Sequence, residues 1–301
     1  MPSHNVQGPV QVLDLHFQKE GTIAAFLIRT SAGPVLVETG PESLFPHLER
    51  AVQAQGFALE DIRHVFVTHI HLDHAGAAWR LARHGAQVYV HPAGAAHLVD
   101  PAKLLKSARR IYQDNMDRLW GRLEPIEADR IVALEDGQTV RIGGVAIEAL
   151  HTPGHAIHHI TYRLEDGLFT GDVGGIRIGA GPVIPPFPPP DIDLPAWAES
   201  IRRMRACAPN WIYPTHFGIQ AAKGHFDSLE ENIRNIATWI KSGLQKGGTE
   251  ADLMQPFEAF IHELLAAHGL PESVIRDYEI ADPAFMSVQG LSRYWNSRTG
   301  Q

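Results

Sequence analysis

Cysteine is nearly missing from this chain: Cys207 is the only one in 301 residues. An intrachain disulfide is excluded, and a metal site built on thiolates is excluded with it. Long apolar runs are missing too, since no stretch approaches the roughly 20 residues that cross a bilayer as a helix. Met1-Pro2-Ser3-His4 has neither the basic start nor the apolar middle of a secretion signal. A cytoplasmic location without membrane contact is the expectation. Positive charge is in deficit, with 26 Lys and Arg against 34 Asp and Glu and a net charge of -8. No global basic field gathers a polynucleotide, so a small-molecule substrate is expected and nucleic acid is not.

Histidine, by contrast, is abundant, with 18 in the chain. Any metal held here is held by imidazole and carboxylate. The remaining composition, 44% hydrophobic and 20% charged with 21 prolines and 27 glycines, is that of an ordinary globular protein. The length allows one large domain or a catalytic domain with an appendage.

Short β-like apolar runs alternate with turns over Val10 to Phe17, Thr22 to Arg29, Gly33 to Glu38 and Arg63 to Thr68. A helix is expected over Ala75 to His84 and a strand over Gln87 to His91, a strand-helix-strand rhythm that gives a mixed α/β class. Leu104, Leu105, Ala108, Ile111, Tyr112, Leu119 and Trp120 follow helical spacing and mark a helical insertion over about 101–122. Strands are expected again over Arg130 to Leu134, Thr139 to Leu150, Ile160 to Leu164 and Leu168 to Thr170. The proline-rich stretch Gly179 to Asp193 has too few donors for a central strand and runs as a loop. Beyond about Phe226 the pattern is helical, with an expected capping box at Ser228-Leu229-Glu230-Glu231 and further helices over Thr249 to His268 and Asp282 to Trp295. The expected division is a catalytic domain over 1–220 and a helical C-terminal extension over 221–301.

The chemistry concentrates at strand ends, where α/β sheets carry their ligands. His69, His71, Asp73 and His74 follow the buried run Arg63 to Thr68, giving four candidate ligands in six residues. His155 follows the strand ending at Leu150, Asp172 the strand ending at Thr170, and His216 the short strand Trp211 to Tyr213. A solvated histidine-rich loop is the plain alternative; the tight packing of three histidines and an aspartate behind an apolar strand opposes it, and three further ligand-type residues at strand ends oppose it again.

Taken together, His69-x-His71-x-Asp73-His74 with His155, Asp172 and His216 resembles the metallo-β-lactamase superfamily, over about residues 8 to 220. Glu38-Thr39-Gly40 resembles the family's Asp-Thr-Gly turn, with Glu in place of Asp. The resemblance implies a four-layer αββα sandwich with the site at one edge. It implies a first metal on His69, His71 and His155, a second on Asp73, His74 and His216, and Asp172 bridging both. Two divalent ions, zinc first with iron or manganese as alternatives, then share a hydroxide that attacks the substrate while Asp73 orients it or takes its proton.

That scaffold hosts many chemistries, so the substrate stays open. The tyrosine that lactonases of this fold carry three residues after the bridging aspartate is Gly175 here, and the tyrosine that hydroxyacylglutathione hydrolases carry two residues after the last histidine is Gly218. The expectation is a glyoxalase II-like or lactonase-like hydrolase of a small ester, thioester or lactone. The alternatives are a mononuclear iron persulfide dioxygenase, a phosphodiesterase or nuclease, and a non-catalytic metal-binding protein. Arg177, in the loop after Asp172, is a candidate contact for an anionic substrate group, and one of His158 and His159 for the substrate or for His155; a surface arginine and a packed histidine are the plain alternatives. Trp120, Phe187 and Trp197 either line a pocket or belong to the core. The C-terminal helices either cap the site or form a homodimer interface.

Overall fold

The computed structural model describes residues 10–299. Residues 1–9, with the N-terminal segment weighed above, and 300–301 lie outside the described residues. Two compact units are present: Met1–His151 with Tyr162–Glu165, and Thr152–Thr161 with Asp166–Gln301.

The first unit is built on a six-stranded sheet in chain order, β1 (Val10–Asp14), β2 (Ala24–Thr30), β3 (Gly33–Val37), β4 (His64–Phe66), β5 (Gln87–Val90) and β6 (Ile131–Ala133). β1 to β3 pair antiparallel through short connections. β3 to β6 pair in parallel, because helices cross over between them: α1 (Phe45–Ala54), α2 (Leu72–Ala75) with α3 (Ala78–Arg83), and then α4 (Pro92–Val99), α5 (Ala102–Tyr112) and α6 (Met116–Trp120). Strands covered on both faces read as continuous apolar runs rather than alternating ones, and Phe26, Leu27, Val35, Leu36, Val65 and Phe66 are all fully buried. The register places Val37 beside Phe66 and Phe66 beside Tyr89. Their C-terminal ends therefore reach the same sheet edge, with Glu38 following β3 and Thr68-His69 following β4. The expected helix over 75–84 is in fact the short turn α2 followed by α3. The insertion expected over 101–122 is α5 and α6.

β7 (Thr139–Ile142) and β8 (Val145–His151) form an antiparallel hairpin. Within the β-like run over 139–150 the strand expected over 145–150 is β8, and Gly143-Gly144, both at positive φ, turns the chain back before it.

β9 (Ile160–Leu164) precedes β10 (Gly167–Phe169), which pairs in parallel with β11 (Trp211–Tyr213); β12 (Gln220–Ala221) adds antiparallel to β11. The crossover helix α7 (Leu194–Ala206) starts where the Asp193 side chain accepts from the Ala196 N–H at 3.1 Å. The proline-rich segment carries no strand beyond one isolated bridge, Ile176 to Ile184.

Four helices follow: α8 (His225–Gln245), α9 (Glu250–Ala267), α10 (Glu272–Ala281) and α11 (Ala284–Thr299). The capping box expected at Ser228 is not one. α8 already begins at His225 after Gly224, and the Ser228 hydroxyl accepts from the Val183 N–H at 3.0 Å. A capping box does form at Thr249 and Asp252, where α9 starts. α10 has no counterpart in the sequence pattern. Phe187, Trp197, Leu229, Ile240, Phe257 and Leu291 anchor the core of this second unit. Among the described residues no helix is long and apolar enough to cross a membrane.

Candidate metal centre

In the first unit, Thr68-His69-Ile70-His71 leaves the end of β4 and α2 turns the chain back at once, with the Ala75 N–H donating to the His71 carbonyl at 2.9 Å. The turn is clamped from β3: Thr39 donates both its N–H and its hydroxyl to the His74 carbonyl, each at 2.8 Å. The result is a compact imidazole cluster. His69 Nε2 and His71 Nδ1 stand 2.9 Å apart, and the rings of His69 and His74 are 4.0 Å apart between centroids. His69 and His74 are fully buried. His74 Nε2 lies 3.5 Å from Asp73 Oδ2, and the Asp73 side chain keeps 21% of its surface open.

The orientation of His69 is tied to Glu38, also fully buried. The Thr68 hydroxyl donates to Glu38 Oε1 at 2.5 Å and lies 3.0 Å from His69 Nδ1. Having spent its one proton on Glu38, Thr68 Oγ can only accept from His69 Nδ1–H. That fixes the tautomer and leaves His69 Nε2 a lone pair. Glu38 Oε1 also lies 3.3 Å from His74 Nδ1. Burial, and then the charge of Glu38, hold the Tyr162 phenol well above its ordinary value of 10.

The second unit carries ligand-type residues of its own. His155 donates from Nδ1 to the Pro186 carbonyl at 3.0 Å, so its Nε2 also carries a lone pair. Asp172 sits in a 3-10 turn, Gly171–Gly174, at the end of β10. Its Oδ2 is 3.4 Å from His155 Nε2 and its Oδ1 is 3.5 Å from His216 Nε2. Two donors bound at 2.0–2.1 Å to one tetrahedral ion stand about 3.3 Å from each other, so both spacings suit shared coordination. His159 ties the two ligand loops together: Nδ1 lies 3.0 Å from Thr152 Oγ, and Nε2 accepts from the Val173 N–H at 3.4 Å. His225 donates from Nε2 to the Gly174 carbonyl at 2.8 Å, and burial pushes its pKa down to about 4.

Each unit thus carries a His/Asp cluster whose donor atoms lie close enough to serve a metal: His69 with His71 and Asp73 with His74 in the first, His155 with Asp172 and Asp172 with His216 in the second. The sequence profile described as the metallo-beta-lactamase superfamily matches residues 19–216, a span that includes every one of these residues.

The chain belongs to the metallo-β-lactamase superfamily.

Among curated relatives, the metallo-beta-lactamase fold-containing protein ST1585 of Sulfurisphaera tokodaii is 28% identical over 65% of this chain and 76% of its own length. Thioesterase pkgB of Emericella nidulans is 28% identical over 84% of this chain and 56% of its own length. The atrochrysone carboxyl ACP thioesterase of Aspergillus fumigatus is 27% identical over 97% of this chain and 63% of its own length. The chain therefore spans less than two thirds of either thioesterase. Among solved structures, the family protein TTHA1429 from Thermus thermophilus superposes with a TM-score of 0.69 at 20% identity, over 97% of this chain and 94% of that one. The fold is thus the metallo-β-lactamase fold, mixed α/β, with C-terminal helices α8 to α11 added.

Sequence reasoning marks Glu38 only as a turn residue of this family, although a carboxylate directly after a buried strand carries the same signal as the ligands. His159 is signalled only by its closeness to His155, His225 gives no pattern, and the Pro186 carbonyl, a backbone group, can give none. His158 is buried, while Ile157 beside it is exposed. Arg177 is half-buried, with its Nε donating to the Gly181 carbonyl at 3.2 Å. Trp120, Phe187 and Trp197 are buried, Trp120 stacking on Phe17 and Phe187 packing on Trp197. Gly175, where lactonases of the fold carry tyrosine, has φ of +75°, and a Cβ there would come within 2.6 Å of Val183 Cγ1. The position has no room for a side chain.

Proposed function

We propose that this chain is a dinuclear metal-dependent hydrolase of a small ester, thioester or lactone, with acyl thioesters foremost. In this reading His69, His71 and His155 hold one ion, Asp73, His74 and His216 hold the second, and Asp172 gives one oxygen to each. The observation that carries it is the position of Asp172, each of whose oxygens lies beside a different imidazole Nε2. The paired donors within each unit support it as well. Imidazole and carboxylate without thiolate suit zinc, and also iron or manganese.

When bound, such a pair of ions makes a shared water acidic enough to attack at neutral pH and polarises the carbonyl under attack. The chain's own residues prepare for this. Glu38 through Thr68, and the Pro186 carbonyl, hold the outer nitrogens of His69 and His155 so that the inner ones would present a lone pair to an ion. Asp73, more open to solvent than Asp172, orients the attacking water or accepts its proton. Arg177 meets an anionic group of the substrate and His158 lines its approach. Thioesters come first because two fungal relatives are named as thioesterases, one aligning over 84% of this chain and the other over 97%.

The test is a panel of acyl thioesters, aryl esters, lactones and phosphodiesters offered to zinc-loaded chain, chelator-treated chain and Asp172→Ala. Hydrolysis of a thioester or ester that disappears with chelator and with the substitution supports the proposal. Activity unchanged in Asp172→Ala, cleavage of phosphodiesters alone, or one iron per chain with oxygen consumption overturns it.

A further inference from the structure

We infer that the C-terminal helix α11 positions His155 through a single peptide group, so that the helical extension is part of the metal site's support. The inference rests on reading His155 as a ligand. The peptide joining Pro186 to Phe187 is held from both sides: its carbonyl accepts from His155 Nδ1 at 3.0 Å, and its N–H donates to Ser287 Oγ of α11 at 3.4 Å. A peptide group is planar, with its carbonyl and N–H on opposite edges, so tilting one edge tilts the other. Ser287 is 2% exposed, and its hydroxyl donates in turn to Asp282 Oδ2 at 3.1 Å, which sets its lone pairs towards the Phe187 N–H.

One helical turn further on, Gly290 presses the same face of α11 against the loop. A Cβ at Gly290 would stand 1.8 Å from the Phe187 carbonyl oxygen and 3.0 Å from the Pro188 carbonyl carbon. Even alanine cannot enter without moving the loop. The loop cannot absorb that movement locally, because Pro185, Pro186, Pro188, Pro189 and Pro190 fix φ on both sides of Phe187. Trp197 completes the support, with its ring 5.3 Å from Phe187 and 6.0 Å from His155 between centroids and its Nε1 donating to the Val173 carbonyl at 2.8 Å. Displacing α11 therefore tilts the Pro186 carbonyl, and His155 loses the bond that fixes its tautomer and ring direction.

The test uses the full chain with Gly290→Ala, Ser287→Ala and, as a rescue, Ser287→Thr. Gly243→Ala is the packing control, because the nearest atoms a Cβ there would meet are those of the Leu253 side chain, between α8 and α9. Zinc affinity is read by chelator competition, the ligand field by the visible absorption of cobalt-substituted chain, and the fold by far-UV circular dichroism of metal-free protein. The expected result is a loss of about ten- to a hundredfold in metal affinity and an altered cobalt spectrum for Gly290→Ala and Ser287→Ala. Ser287→Thr and Gly243→Ala should stay close to the unsubstituted chain. Unchanged affinity and spectrum in Ser287→Ala and Gly290→Ala, or an equal loss in Gly243→Ala, overturns the inference while leaving the metal reading intact. An unsubstituted chain that binds no metal overturns that reading itself. Should Gly290→Ala fail to fold, Ser287→Ala decides alone.

Discussion

The Thr68 hydroxyl donates to Glu38 Oε1 at 2.5 Å, so the oxygen that faces His69 Nδ1 has no proton left to give. A buried carboxylate at the end of the neighbouring strand thereby decides which nitrogen of the first histidine is available. Thr68→Val keeps the shape of the side chain and removes the relay. Metal affinity should fall about ten- to a hundredfold, and Thr68→Ser should restore most of it. Competition titration against a chelator measures both. An affinity that survives Thr68→Val would show that the relay does nothing for His69.

His225 gives a pH prediction. Burial holds its folded-state pKa at about 4, against an ordinary value near 6.5 when unfolded. Between those values the unfolded chain binds the extra proton, so stability is full above about pH 6.5 and falls as the pH drops towards 4. The loss amounts to roughly 3 kcal/mol. His225→Gln can still donate to the Gly174 carbonyl but cannot titrate. Urea unfolding at pH 7, 5.5 and 4 should therefore show the gap between the two proteins narrowing as the pH falls. Parallel curves would contradict it.

Gly175 predicts a failed graft. With φ of +75° and Val183 and Leu229 within 2.6 and 3.0 Å of a Cβ, Gly175→Tyr should destabilise the chain by about 2 kcal/mol or more and confer no lactonase activity. Urea denaturation and a lactone assay check the two parts. A stable variant with new lactone hydrolysis would mean that the loop yields more easily than its contacts indicate.

Metal removal should lower thermal stability. Buried imidazoles gathered at 2.9–4.0 Å in the folded chain have no preformed counterpart in the unfolded one, so a bound ion stabilises only the native state. Chelation should lower the melting temperature by at least about 5 °C, and zinc should restore it. A melting curve indifferent to chelator would contradict ligation by these residues.

The candidate ligands stand out in the sequence because they follow apolar runs that form strands. His69 to His74 after β4 and Asp172 after β10 are of this kind. The hairpin β7 to β8 reads as one β-like run, and only its second strand, from Val145, stands out. Ser228, with glutamate three residues later, has the spacing of a helix cap, but its hydroxyl serves the Val183 N–H instead. α10 does carry a short stripe, Val274, Ile275, Tyr278 and Ala281, but at ten residues it passes for a link between two longer helices. The support of His155 is illegible for a different reason. It runs through a carbonyl and an N–H of the backbone, which nearly every residue possesses and no pattern marks.

Metal content tests the central claim most directly. The chain, stripped of metal, reloaded with excess zinc and freed of unbound ions, is to be analysed for zinc per chain alongside Asp172→Ala. The account predicts two zinc ions per unsubstituted chain and one or fewer in the variant. One ion or none in the unsubstituted chain, or two in both, would contradict a site in which Asp172 joins two metals.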